Sequence, residues 1–126
     1  MAPMFKTHHT RCTAETTAAP CFVDITPSIE TALADSGIRN GQVTVFAPDE
    51  GCSLLVNERE TGLLTDLQGA LGRLKDAWPR SIVGSPSLVL PALEGRLGLG
   101  VWQRVMLVEL EGPGHRPVVV QVLGEG

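Results

Sequence analysis

Three carboxylates fall close together in the stretch VFAPDEGCSLLVNE, residues 45–58: Asp49, Glu50 and Glu58. Carboxylates at a strand end can do acid–base work or hold a hard cation. Oxygen ligands suit Mg²⁺ or Ca²⁺, so Asp49, Glu50 and Glu58 are the candidate metal ligands and a divalent cation is the candidate cofactor. The simpler reading is a solvated turn. Asp49-Glu50-Gly51 follows Pro48 and separates two apolar runs, which is hairpin chemistry.

Other reactive side chains offer less. His8 and His9 are adjacent, so they point to opposite faces of any strand and chelate poorly alone. His115 sits in a Gly/Pro stretch beside Arg116. Cys12, Cys21 and Cys52 are odd in number, widely spaced and without a CxxC pair. A zinc site or redox pair is not expected of them; buried or incidental thiols in a reducing compartment are. Ser81, Ser85 and Ser87 have no histidine placed by sequence to activate them. Gly98 and Gly100 lack the following helix of a phosphate loop.

The elements that must position these residues are legible from pattern. The Thr-rich first segment is compatible with a strand. A short strand is predicted at Phe22–Ile25, then a helix with Thr26 as N-cap, Pro27 at its first position and Gly37 as its stop. Strands follow at Gly41–Phe46 and Ser53–Val56. Leu63, Leu64, Leu67, Leu71, Leu74 and Trp78 share one helical face, which predicts a helix over 61–77 ended by Pro79. The remainder reads as strands at Ser87–Leu90, Arg96–Leu99, Val101–Leu110 and Val118–Leu123, with 111–116 as a loop. The class is α+β, a sandwich of mixed or antiparallel strands with two helices. Val101–Leu110 is apolar on both faces, apart from Gln103, Arg104 and Glu109, so a second sheet or another subunit must cover it. Trp102 is expected to fill core or interface area.

The chain has 126 residues, 43% of them hydrophobic, which fits one domain over 1–126 and argues against disorder. A net charge of -4 with no basic block gives no support for nucleic-acid binding. No apolar run is long enough to span a membrane, and the N-terminal segment is too polar for a signal peptide. A cytoplasmic location is expected by elimination.

Several stretches together resemble the YjbQ-like family, also called the secondary thiamine-phosphate synthase enzyme family. They are DITPSIETALADSGIRNGQVTVFAP, LLVNE and GSPSLVLPALEGRLGLGVWQRVMLVELEGPGHRPVVVQVLG. The run Gly95–Gln103, then Glu111-Gly112-Pro113, and Arg116 before a valine-rich strand, is the most specific part. The resemblance extends from about residue 20 onward. It implies an α+β domain with a β-sandwich and a homotrimer, whose neighbouring subunits would account for the two-sided strand.

The departures bear on function. Family members usually carry His-Thr-Thr where this chain has Asp49-Glu50-Gly51. They also carry a middle loop with Tyr-x-His and Asn-Ala-x-Ala-His elements, which is shortened here around residues 78–85. The last pocket histidine falls near Ala77, so all three pocket histidines are absent. Asn57-Glu58 matches the family's pocket edge, and Asp66 an acidic residue beginning its helix. Asp49, Glu50, Asn57, Glu58 and Asp66 are therefore the expected remnant pocket. The resemblance implies a divergent, catalytically degenerate homotrimer of unknown role. The alternative is residual thiamine-phosphate synthase-type transfer, or other chemistry on a phosphorylated small molecule.

Overall fold

The computed structural model describes residues 4–58, 60–73 and 84–126. Along the chain run β1 (Phe5–Thr16), β2 (Cys21–Asp24), α1 (Thr26–Ser36), β3 (Asn40–Phe46) and β4 (Cys52–Glu58). Then come α2 (Thr61–Gly72), β5 (Ser87–Leu93), β6 (Arg96–Leu97), β7 (Gln103–Glu109) and β8 (Gly114–Glu125). One sheet has the order β1-β8-β3-β5-β6 and the other β2-β7-β4. All their strand pairs are antiparallel. This is the expected α+β sandwich.

Alternation along the strands builds the core. Val43 and Val45 of β3, Ala92 of β5 and Val118, Val120 and Val122 of β8 point inward from the large sheet. Leu54 of β4 and Val105 and Leu107 of β7 meet them from the small one. Ile29, Ala32 and Leu33 of α1 join the same cluster. Each fully buried Val, Leu or Ile among them stabilises by roughly 1.5–3 kcal/mol, and the two alanines by less.

The apolar character of β7 on both faces is satisfied within the chain. Val105 and Leu107 face the large sheet, while Val108 and Leu110 pack with Leu71 of α2, Phe22 and Leu55. A neighbouring subunit is not needed to explain that strand.

The Asp49–Gly51 turn is not a hairpin. β3 lies in the large sheet and β4 in the small one, so the chain crosses between layers at Ala47–Gly51. The reason lies in the core faces: Val43 and Val45 must look across the interior at Leu54, which one shared sheet would prevent. The expected loop 111–116 also differs, because β8 begins at Gly114. Long β1 supplies partners there, with Thr16 opposite Gly114 and Ala14 opposite Arg116.

Thr26 does not cap α1. Its buried hydroxyl accepts the Val105 N–H at 2.7 Å, tying the helix start to β7. Asp24 Oδ1 instead accepts the Thr26 N–H at 3.0 Å. Pro27 occupies the first turn, and Gly37 closes the helix at φ 69°, a left-handed conformation that glycine adopts without strain. For α2 the cap is Glu60, whose carboxylate accepts the Gly62 and Leu63 N–H groups. Leu71 of α2 is buried, while the predicted Leu74, Ala77, Trp78 and Pro79 lie outside the described residues. Among the described residues no helix is long and apolar enough to cross a membrane.

Candidate functional site

β4 separates the predicted carboxylates. Asp49 and Glu50 precede it, whereas Asn57 and Glu58 end it. Cys52 and Glu58 are six steps apart at about 3.3 Å each, roughly 20 Å of extended chain. Oxygen ligands must come within about 2.0–2.6 Å of one ion, so Glu58 cannot share a cation with Asp49 and Glu50. Glu50 is exposed, and so is Asp66 on α2. Asn57 Oδ1 accepts the Glu58 N–H at 2.8 Å. Among the described residues no three His, Cys, Asp or Glu side chains are grouped to hold a metal ion.

Asp49 belongs to a different constellation, one that pattern reading missed. Val105, Leu107 and Glu109 share the inward face of β7, so Glu109 points between the sheets at the end of the core. It is fully buried. Arg116 Nε, from the inner face of β8, donates to Glu109 Oε1 at 2.6 Å. Thr16 Oγ1, from β1, donates to the same oxygen at 2.6 Å. The second oxygen receives the Glu111 N–H at 3.4 Å and the Cys52 Sγ–H at 3.6 Å. Arg116 spends its remaining donors outward. Nη2 donates to the Gly112 carbonyl at 3.0 Å, and Nη1 lies 3.5 Å from Asp49 Oδ2. Asp49, Arg116 and Glu109 thus form a chain of alternating charge from the crossover into the interior.

The electrostatics follow from this closure. Burial, the largest single influence, pushes the Glu109 carboxyl up. Hydrogen bonds from Arg116, Thr16 and the Glu111 N–H, with the Arg116 charge, together outweigh it and hold the group below the usual carboxylate range. The Arg116 guanidinium is pushed up, chiefly by its bond to Glu109. Burial and then the Glu109 charge push the Cys52 thiol up to about 12. Cys52 is therefore a protonated donor at neutral pH and not a thiolate nucleophile. Burial likewise pushes the Cys12 thiol up.

The histidines stand apart from this cluster. His8 and His9 lie along β1, opposite Val122 and Gln121. His115 Nδ1 is 3.4 Å from Glu15 Oε1 on the exposed surface.

Glu58 lines a separate cleft of about 660 Å³ with Glu60, Val101, Trp102 and Arg104. A second cleft, about 790 Å³, runs between α1 and the 95–104 segment; Glu30, Leu33, Arg96, Leu97, Gln103 and Arg104 are among its walls. Arg104 is held by Asp24, Nε to Oδ2 at 2.8 Å. Asp24 is itself pulled below the usual carboxylate range: burial raises it, and the bonds from Thr26 and Arg104 outweigh that.

One signal for the missed cluster was visible: Glu109 is a lone acid facing inward on an apolar strand. A buried acid requires a partner, and Arg116 heads the neighbouring valine-rich strand. What pattern could not give was the pairing of β1 with β8, which brings Thr16 alongside.

A small antiparallel sandwich with a satisfied ion pair closing one end of its core, and open clefts at the far end of β4, is the class of protein these features define. Within that class the chain belongs to the family described as UPF0047 protein YjbQ-like, whose model matches residues 10–80 and 75–125. The two matched segments overlap at residues 75–80. A UPF0047 protein of Methanothermobacter thermautotrophicus is 30% identical over 119 residues, covering 82% of this chain and 83% of that one. One from Archaeoglobus fulgidus is 32% identical over 117 residues, covering 81% and 90%. Among solved structures, a YbjQ-like protein of unknown function from Sulfolobus solfataricus P2 superposes with a TM-score of 0.86 at 28% identity, covering 97% of this chain and 100% of that one. A hypothetical protein from Aeropyrum pernix K1 gives 0.82 at 31% identity, covering 93% and 98%.

Proposed function

We propose that this chain is a divergent, catalytically degenerate member of the YjbQ-like family, one domain over residues 1–126 that works as a cytoplasmic homotrimer. The observation that carries the reading is the engagement of Asp49. Where the family resemblance places a pocket histidine, this chain has a carboxylate 3.5 Å from Arg116, itself bonded to buried Glu109. A carboxylate beside a guanidinium is not the imidazole that the resemblance assigns to acid–base work at this position. Self-association is supported by uncovered apolar side chains, among them Phe5, Val89, Leu93, Val101 and Trp102.

A second reading keeps some chemistry on a phosphorylated small molecule, of the thiamine-phosphate synthase type. Its support is Glu58, which faces an open cleft beside Trp102 and Arg104. An assay of thiamine-phosphate formation from the pyrimidine pyrophosphate and thiazole phosphate separates the two. The first predicts no turnover above background. Clear turnover that Glu58→Ala abolishes establishes the second. Light scattering of the purified protein tests the trimer, and a monomer mass in dilute solution refutes it.

A further inference from the structure

The connection between β6 and β7 carries two strongly exposed apolar side chains, Val101 at 88% and Trp102 at 75%. It is not a loose tether. The Gly98 N–H donates to the Pro91 carbonyl at 2.7 Å, and the Gly100 N–H to Gln103 Oε1 at 2.7 Å. The Gln103 N–H returns to the Gly100 carbonyl at 3.0 Å. These bonds fix a turn that projects Val101 and Trp102 into solvent. Holding a large apolar ring in a preset position is a feature of interface anchors, because less freedom is lost on docking.

The surroundings indicate what the projection meets. The two clefts adjoin it and meet at Val101 and Arg104. Arg104 is occupied by Asp24, and Glu60 by the cap of α2. That leaves Glu58 beside Trp102 and Arg96 in the cleft against α1. Neither has an ion-pair partner among the described residues. One face of the molecule therefore carries an apolar projection with a free anion at its side and a concavity with a free cation in its wall. Glu58 and Arg96 are opposite charges that two copies of this face could bring together, while Glu30 of the same wall lies 4.0 Å from Arg104.

We infer that the occupant of this face is a second copy of the chain. Trp102 and Val101 of one copy enter the cleft between α1 and β6 of its neighbour, and Glu58 of the entering copy pairs with Arg96 of the receiving one. This rests on the self-association proposed above and names its surface. Three such contacts in a ring close the homotrimer; two reciprocal contacts close a dimer.

The test uses the full chain and a Trp78→Phe variant in which Trp102 is the sole tryptophan. Trp102 emission should shift to the blue as protein concentration rises through the assembly range. Trp102→Ala should weaken association by tenfold or more, on the order found for anchor residues. Arg96→Glu and Glu58→Arg should each weaken it about tenfold, and the double variant should recover to within about threefold of the unaltered protein. Light scattering on variants that keep Trp78 guards against misfolding of the fluorescent one. Assembly untouched by Trp102→Ala, or by the two charge reversals, overturns this surface and leaves the trimer standing. A dimer that depends on Trp102 and on the charge pair sustains the surface and overturns the trimer. A monomer at all concentrations, with no emission shift, overturns both.

Discussion

Arg116→Met removes the cation that meets Glu109 between the sheets. Breaking a buried pair by deleting one partner typically costs about 3–5 kcal/mol. Glu109 keeps three other donors here, Thr16 Oγ1, the Glu111 N–H and Cys52 Sγ, so the lower end applies, about 3 kcal/mol. For a chain of 126 residues that is roughly 10 °C in Tm. Urea unfolding followed by circular dichroism, at fixed protomer concentration, measures it. Pairing the change with Glu109→Leu should recover about half of that cost, because the unpaired charge is gone while Thr16 Oγ1 and the Glu111 N–H lose their acceptor.

The cost should depend on pH. The Glu109 carboxyl is lowered in the folded protein, so its stabilisation is fully present above its unfolded value and is lost as pH falls through the folded one. In Arg116→Met, burial raises the same carboxyl, so protonation on acidification relieves the unpaired charge. The second effect narrows the gap between the two proteins from pH 7 toward pH 4, and the first adds to it below the ordinary carboxylate value. A cost below about 1 kcal/mol at pH 7, or one unchanged at pH 4, refutes a stabilising buried pair.

Other outcomes follow from the same geometry. Cys52, with its thiol pushed up to about 12, should resist iodoacetamide at pH 8 until the protein is unfolded; mass mapping of labelled Cys52 in native protein contradicts this. Gly41→Ala should destabilise by about 2 kcal/mol or more, because a methyl there would run into the Leu123 carbonyl oxygen; a neutral melting curve excludes that contact. Thr26→Val should cost about 1–3 kcal/mol by orphaning the buried Val105 N–H, and Thr26→Ser should recover most of it. Calorimetric titration with millimolar Mg²⁺ or Ca²⁺ should show no heat that depends jointly on Asp49 and Glu58, since β4 holds them apart.

Much of the architecture was legible because each strand alternates and each helix has a chemical boundary. Pro27 and Gly37 bracket α1, and the Leu63–Leu71 face marks α2. The errors arose where a local signal met a tertiary demand. Asp49-Glu50-Gly51 has hairpin chemistry, yet the chain must change layers there so that Val43 and Leu54 can face each other. Thr26 has cap chemistry, yet its hydroxyl is claimed by the Val105 N–H. Gly114-His115-Arg116 has loop composition, yet β1 is long enough to recruit it. In the candidate site, Asp49 was found for a metal it cannot share with Glu58. Its actual neighbour, Arg116, lies 67 positions away in sequence, and only strand pairing brings the two together.

The claim that this constellation serves the fold rather than chemistry is tested most directly by titrating the Glu109 side-chain carboxyl with carbon-detected NMR. A structural carboxylate locked to Arg116 and Thr16 should titrate below the usual carboxylate range and be ionised throughout the neutral region. A Glu109 that titrates above that range, toward neutrality, would be a group poised for proton transfer, and would contradict the reading of a degenerate site.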